Sequence, residues 1–186
     1  MQSIAKNIGS VERPFVWGAW DANHGINTFE PVLAVLEWEG LQAAVSATPA
    51  LLSRGWVERL RLFNCHCALW SLTAFEKAHP EERQPRMSLA WARGKAMGKI
   101  SQEQFNMAWV VADEFANQYA NEDFLVRHGA LAPKMALHHA PDWVALPMLE
   151  TALCVNPRQK ARVVADLTRE FVKFCRGKGE YGKVKV

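Results

Sequence analysis

The sequence predicts an all-α, single-domain multi-helix bundle, and three observations support this. Apolar residues recur at spacings of three and four through most of the chain, as they do on one face of an α-helix. Helix-start patterns such as Thr48-Pro49, Ser101 with Gln104, and Asn156-Pro157 precede several of these stretches. No segment alternates apolar and polar residues between turn signals, which is the pattern of a half-buried strand. We therefore expect roughly six to eight helices joined by short connections.

The first part of the chain predicts an irregular segment followed by helices. Residues 1–27 carry turn-favouring residues and are expected to pack on the helical body. The first helix begins near Thr28, a residue type that caps helices, and extends to about Ala47. Thr48-Pro49 restarts a helix by the same cap-then-proline logic, and Gly55 marks a break.

The strongest helical pattern extends from Trp56 to about Ala78. Its apolar residues are spaced four, three, four, three and four apart: Trp56, Leu60, Phe63, Cys67, Trp70 and Ala74. Leu62, Leu69 and Leu72 form a second apolar face. A helix that is apolar on two sides is usually central in a bundle, so we expect this helix at the centre.

Further helices follow to the end of the domain. One begins at Pro85 and stops near Gly98, and the next begins with a capping box at Ser101. Another begins after Asn121 and is interrupted at Pro133. The last two are expected from Trp143 to Cys154, and from Asn156-Pro157 to the glycines Gly177 and Gly179. The domain is thus predicted to cover residues 1–176, with 177–186 as a mobile basic tail.

Charge is distributed unevenly along the chain. The total net charge is +3, but the stretch from Asn156 onward has nine basic and three acidic residues, a net charge of +6. Such a basic C-terminal helix can contact nucleic acid or an acidic partner. The candidate nucleic-acid contacts are Arg158, Lys160, Arg162, Arg169, Lys173 and Arg176.

Cysteine and histidine usage predicts neither a metal site nor a cofactor. Cys65-His66-Cys67 cannot converge on one ion from a helix, because residues one and two apart point about 100° and 200° apart. Cys67 is instead expected to be buried. The sequence contains no apolar stretch long enough for a signal peptide or a membrane span. We therefore expect a cytoplasmic protein that does not contact a membrane.

No catalytic motif is present that would assign a reaction. The glycines near Arg93 and Lys99 lack the order of a phosphate-binding loop, and no nucleophile elbow occurs. The adjacent acids Asp113-Glu114 and Glu122-Asp123 do not face each other on a helix. We therefore predict no catalytic residues, while an enzyme without a readable motif stays a further alternative.

The segment from Phe75 to Arg86 combines a helix end, a charged loop and a proline-started helix. Glu76, Arg83 and Arg86 are candidates for a charge network that fixes the angle between two helices, since guanidinium groups bind carboxylates at two points. The same corner can alternatively offer its charges to a partner.

This region resembles the fifth numbered immunity family of polymorphic toxin systems, a helical family. The resemblance covers about residues 56–120, and Gln84 stands between Arg83 and Pro85 where the family has a continuous Arg-Pro-Arg. The matching pieces are Cys67-Ala68, Phe75-Glu76, Pro80-Glu81-Glu82, Arg83, Pro85-Arg86, Ala92-Arg93 and Gly98-Lys99.

The resemblance implies a non-enzymatic protein-binding module that neutralises a cognate toxin by direct binding. The expected partner-binding residues are Trp17, Trp20, His24, Glu76, Arg83 and Arg86. The alternative from the charge distribution is a phage or anti-defence protein that contacts nucleic acid, or a nucleic-acid-bound complex, through its basic C-terminal helix.

Overall fold

The structure, a computed structural model, describes residues 30–51 and 56–184. Its helices are α1 Glu30–Glu39, α2 Leu41–Leu51, α3 Val57–Ala78, α4 Gln84–Ala96, α5 Gln102–Gln118, α6 Phe124–Ala136, α7 Pro141–Cys154 and α8 Lys160–Cys175. Short 3₁₀ helices cover Pro157–Gln159 and Gly179–Lys183. These ranges contain no strand, which confirms the predicted all-α class. None of the helices described is long and apolar enough to cross a membrane.

Helix α3 is the centre of the bundle, as its two apolar faces predict. It packs against α4, α6, α7 and α8. Leu62, Phe63 and Leu72 are completely buried, and so is Cys67, as expected. The helix thus has contact partners on several sides.

The break between the first two helices lies at Gly40, and the predicted restart at Thr48-Pro49 is wrong. Gly40 has a φ of +88°, which a residue without a side chain adopts at little cost. The Thr48 hydroxyl donates to the Ala44 carbonyl oxygen at 2.8 Å, so it bonds back into α2 instead of capping a new helix. Pro49 consequently lies inside α2.

The predicted boundaries around α5 are confirmed in detail. Gly98 follows the end of α4 with a φ of +65°. At the start of α5, Gln104 N–H donates to the Ser101 hydroxyl at 3.1 Å, and Ser101 N–H donates to the Gln104 side chain at 2.8 Å. Both bonds of a capping box are therefore present.

Two later boundaries differ from the sequence prediction. Asp123, not Asn121, is the residue that precedes α6. Pro133 lies within α6 without interrupting it, and α7 already begins at Pro141. The local signals locate the turn at residues 119–123 but not the residue at which the helix begins.

The predicted mobile tail at 177–186 is wrong for residues 177–184, while residues 185–186 lie outside the described residues. Residues 179–183 form a 3₁₀ helix, and the Tyr181 side chain is only 1% exposed. Its ring lies 6.0 Å from the Phe174 ring and 6.1 Å from the His66 ring. Val184 is buried as well, so the packed domain extends through residue 184 because two apolar side chains find a place against α3 and α8.

Candidate partner-binding surface

Two turns that are distant in sequence meet at one end of the bundle. The His79 ring, in the α3–α4 turn, lies 4.8 Å from the Tyr119 ring in the α5–α6 turn. Both rings contact Phe75, each with a centroid separation of 4.9 Å. We call the exposed residues of these turns the paired-turn surface: Pro80, Glu81, Glu82, Arg83, Asn121, Glu122, Asp123, Phe124 and Leu125.

Polar contacts also link the two turns. His79 Nε2 lies 3.8 Å from a carboxylate oxygen of Glu122. Burial, and after it the neighbouring Glu82 carboxylate, raise the pKa of the Tyr119 hydroxyl. Because aromatic and charged contacts cross between the turns, they form one preorganised surface instead of two independent loops.

Glu76 and Arg86 form the predicted pair at the α3–α4 corner. Arg86 Nε and Nη2 donate to the two Glu76 carboxylate oxygens at 2.6 and 2.8 Å. This two-point hydrogen bonding, with the charge of Glu76, raises the pKa of Arg86. The pair is exposed, so it contributes to the orientation of α4 more than to stability.

Arg83 does not join that pair, which corrects the expected three-residue network. It occupies the position before α4, where its carbonyl oxygen accepts from Met87 N–H at 3.1 Å. Its side chain is exposed and forms no hydrogen bond or ion pair with another residue of the described ranges. Its guanidinium therefore keeps its donors available to a partner.

Phe124 and Leu125 are contact candidates that the sequence analysis missed. They open α6 and are 48% and 39% exposed. The available signal was an apolar pair placed directly after the acidic residues Glu122-Asp123, where a first helical turn projects from the body. Exposed aromatic residues and arginine are enriched at the centres of protein interfaces.

The charge of the paired-turn surface is acidic around a single arginine. Glu81, Glu82, Glu122 and Asp123 are all exposed, whereas Arg83 is the only basic residue of the set. A surface with four carboxylates, one arginine and two apolar side chains favours a partner that carries basic groups.

The other predicted residues lie elsewhere. Trp17, Trp20 and His24 are outside the described residues. Arg158 and Lys160 lie in the 3₁₀ helix and at the start of α8, whereas Arg162, Arg169, Lys173 and Arg176 follow α8 away from the paired turns.

Cys65 and Cys67 are buried, and His66 between them points to Glu180. Burial raises the pKa of the Cys65 thiol to about 12, and it raises that of Cys67 as well, so metal-binding thiolates are disfavoured at both. Within the described ranges, no group of three His, Cys, Asp or Glu residues is placed to hold a metal ion.

No family model matches this chain. Comparison with curated proteins and with solved structures finds no match either. The immunity-family resemblance thus stays a prediction from residues 56–120.

A second charged cluster holds the C-terminal segment on the bundle. Glu180 accepts from Arg93 Nη2 at 2.6 Å and lies 2.8 Å from His66 Nε2. Burial on its own would raise the pKa of the Glu180 carboxyl, but the hydrogen bonds from Arg93 and His66 outweigh it and the pKa is lowered. The folded state therefore favours the charged carboxylate.

This cluster predicts a pH-dependent contribution to stability. A lowered folded-state pKa stabilises the protein above the ordinary glutamate pKa, and that stabilisation is lost as pH falls through the folded value. Glu180→Gln should therefore reduce the free energy of unfolding at neutral pH, and the difference from the wild type should shrink as the pH falls below the ordinary glutamate pKa. Urea unfolding across this pH range measures it.

The exposed Glu150 of α7 provides the matched control, and Glu150→Gln should change little at any pH. If the free energies of unfolding of the wild type and E180Q differed by the same amount at every pH, the electrostatic explanation would be contradicted.

Proposed function

We propose that the protein is a non-enzymatic protein-binding module that neutralises a cognate toxin by direct binding through the paired-turn surface. The observation that carries the proposal is Arg83, which is exposed and unpaired within the described ranges and belongs to the same paired-turn surface as the exposed Phe124. Glu76 and Arg86 fix the helix from which Arg83 projects, so they act by positioning it.

Physical reasons favour protein recognition at this surface. Arginine and aromatic residues dominate the binding energy of most interfaces, and they do so where they project from a rigid support. The contacts among His79, Tyr119 and Phe75 supply that support. The acidic rim would speed the encounter with a basic partner and discriminate against acidic ones.

The resemblance supports the same surface from the sequence side. Its most recognisable pieces extend from Phe75-Glu76 to Pro85-Arg86, and this stretch contains the whole α3–α4 turn. Trp17, Trp20 and His24 are proposed as additional contacts from the N-terminal segment. A toxin neutralised in this way would be blocked by surface complementarity, without chemical change to either protein.

The test is capture of the partner from a lysate of the native cells, followed by binding of the purified partner. The wild type is compared with R83A/F124A and with K99A/M107A, which removes an exposed lysine and an exposed apolar side chain elsewhere. Truncation of an interface hot spot costs at least about 2 kcal/mol, so R83A/F124A should bind at least about thirtyfold more weakly. The control should bind like the wild type.

The readouts must separate binding from folding and from function. Thermal melts should show that both double variants are folded, since the substituted side chains are exposed. Co-expression of the partner should be harmless with the wild type and the control, and toxic with R83A/F124A. Full neutralisation of the toxic partner by R83A/F124A would contradict the proposal. Neutralisation that is retained when six residues are all replaced by alanine would also contradict it: Trp17, Trp20, His24, Glu76, Arg83 and Arg86.

A further inference from the structure

Helices α3 and α8 pack side by side in opposite directions, and charged residues follow the seam between them. Trp70 Nε1 donates to an Asp166 carboxylate oxygen at 3.0 Å, and His66 Nε2 lies 3.6 Å from Glu170. Further along the seam, a Cβ added to Gly177 would lie 3.0 Å from Arg59 Nη1. Residues early in α3 thus lie beside the end of α8.

Side-chain contacts link several of the residues along this surface. Three cations contact the acids of the seam: Arg169 lies 3.5 Å from Asp166, Lys173 lies 2.6 Å from Glu170, and Arg93 lies 2.6 Å from Glu180. Arg162 lies over the Trp70 ring at 5.7 Å. We call the basic residues of this surface the seam cations: Arg59, Arg93, Arg162, Arg169, Lys173, Arg176 and Lys178.

The acidic side chains of the seam are less exposed than the basic side chains that they contact. The Glu170 side chain is 14% exposed against 44% for its partner Lys173. Glu180 is 19% exposed against 38% for Arg93, and Asp166 is 39% exposed against 66% for Arg169. In each of these pairs the cation is therefore more accessible than the carboxylate that holds it in place.

We propose that the seam cations bind the phosphate backbone of a nucleic acid, independently of base sequence. The distance from Arg162 to Arg176 along α8 is 14 residues, or roughly 21 Å at the rise of an α-helix. Over that length a DNA duplex carries roughly 12 phosphate charges on its two strands, so phosphates are available to the cations along the whole row. Arginine, which supplies five of the seven, binds phosphate oxygens at two points.

The geometry indicates backbone contacts in preference to base stacking. The Trp70 ring is covered by Arg162, and its N–H is already bonded to Asp166. It therefore supports the arginine and does not present a free face to a base. An acidic protein is the other class of partner with complementary charge, but a row of cations that extends along the whole of α8 matches a regularly charged polymer better.

This surface is separate from the paired-turn surface and opposite to it in charge, so the inference goes beyond the proposed function. It also enlarges the set of basic residues expected from the C-terminal sequence by adding Arg59 and Arg93, which come from α3 and α4.

The experiment is fluorescence anisotropy with a labelled duplex DNA of about 20 base pairs, titrated between about 50 and 200 mM salt. The wild type is compared with R162Q/R169Q/R176Q and with K77Q/K99Q/R127Q, which removes the same charge from exposed positions outside the seam. Loss of three phosphate contacts should reduce the slope of log affinity against log salt by about 2.7. The control triple variant should keep the wild-type slope.

Three results would overturn the proposal. One is the absence of duplex binding by the folded wild type at the lowest salt. Another is an equal loss in both triple variants, which would mean that net charge alone decides binding. The third is displacement of the DNA by polyglutamate at equal charge concentration, which would assign the seam to an acidic protein. A negative result in the DNA-binding experiment would not change the expected difference in partner binding between R83A/F124A and K99A/M107A. The two proposals therefore fail separately.

Discussion

Replacing Arg61 by alanine should lower the free energy of unfolding by about 3–5 kcal/mol, the usual cost of breaking a buried ionic contact. Arg61 is only 2% exposed, although arginine is rarely buried. Its Nη1 donates to the His138 carbonyl oxygen at 2.6 Å and to that of Ala136 at 3.4 Å. Its Nε donates to Glu58 at 2.8 Å.

The reason for the large effect is that Arg61 satisfies backbone groups that have no helical partner. Ala136 ends α6, and the last carbonyl groups of a helix need hydrogen-bond donors from outside the helix. The guanidinium also lies 4.6 Å from the centre of the Phe105 ring, so α3, α5 and the α6–α7 connection all meet at this side chain. Alanine would leave buried carbonyls unsatisfied and a cavity beside Phe105.

Urea unfolding and thermal melts measure the loss, and a domain of this size should melt roughly 6–20 °C lower. Arg61→Met keeps most of the volume but none of the donors, so its cost separates the hydrogen bonds from the cavity. Arg158→Ala, at an exposed position, should change the stability by less than about 0.5 kcal/mol. A loss below about 1 kcal/mol for R61A would show that the buried contacts are not needed.

Gly129→Ala is expected to destabilise the protein by about 1–3 kcal/mol, opposite in sign to the usual effect of this change within a helix. An added Cβ would lie 2.7 Å from the Phe75 Cβ and 3.0 Å from the Ser71 carbonyl oxygen. The Ser71 carbonyl oxygen belongs to the backbone of α3, and the Phe75 Cβ is bonded directly to that backbone. Neither atom can therefore move without separating α3 from α6.

Gly94→Ala is the matched control for this prediction. Gly94 is also inside a helix, but its added Cβ would meet only the flexible Ile100 side chain, at 3.2 Å. It should therefore be neutral or stabilising by up to about 1 kcal/mol. Equal stabilisation of both variants in urea unfolding would contradict the close approach of α3 and α6.

The largest differences between prediction and structure involve residues whose partners are far away in sequence. The periodicity from Trp56 to Ala78 identified the central helix, but it did not indicate that Arg61, a charged residue within that helix, is buried. Burial depends on the carbonyl oxygens of Ala136 and His138, which lie about 75 residues later. No local pattern contains that information.

The residues of the candidate surface also fall into two groups: those that the sequence identified and those that only tertiary contacts identified. Glu76, Arg83 and Arg86 were identified from the sequence because a charged turn between two helices is a local feature. The contribution of Phe124 and the contact of His79 with Tyr119 require that two turns, about 40 residues apart, meet at one end of the bundle. The pairing of Glu76 with Arg86, and not with Arg83, depends on the angle between α3 and α4.

The sequence by itself determined the all-α class, the central helix, the capping box at Ser101 and the glycine stop at Gly98, because each depends on interactions within a few residues. Tertiary structure decided the break at Gly40, the burial of Arg61 and the folding of the C-terminal segment. Gly177 and Gly179 predict a free tail when they are considered alone. In the structure, however, the Tyr181 side chain is buried, and the Glu180 carboxylate has two hydrogen-bonding partners, Arg93 and His66. Contacts of that kind outweigh local preference because burial and charge pairing act between segments that only the folded chain brings together.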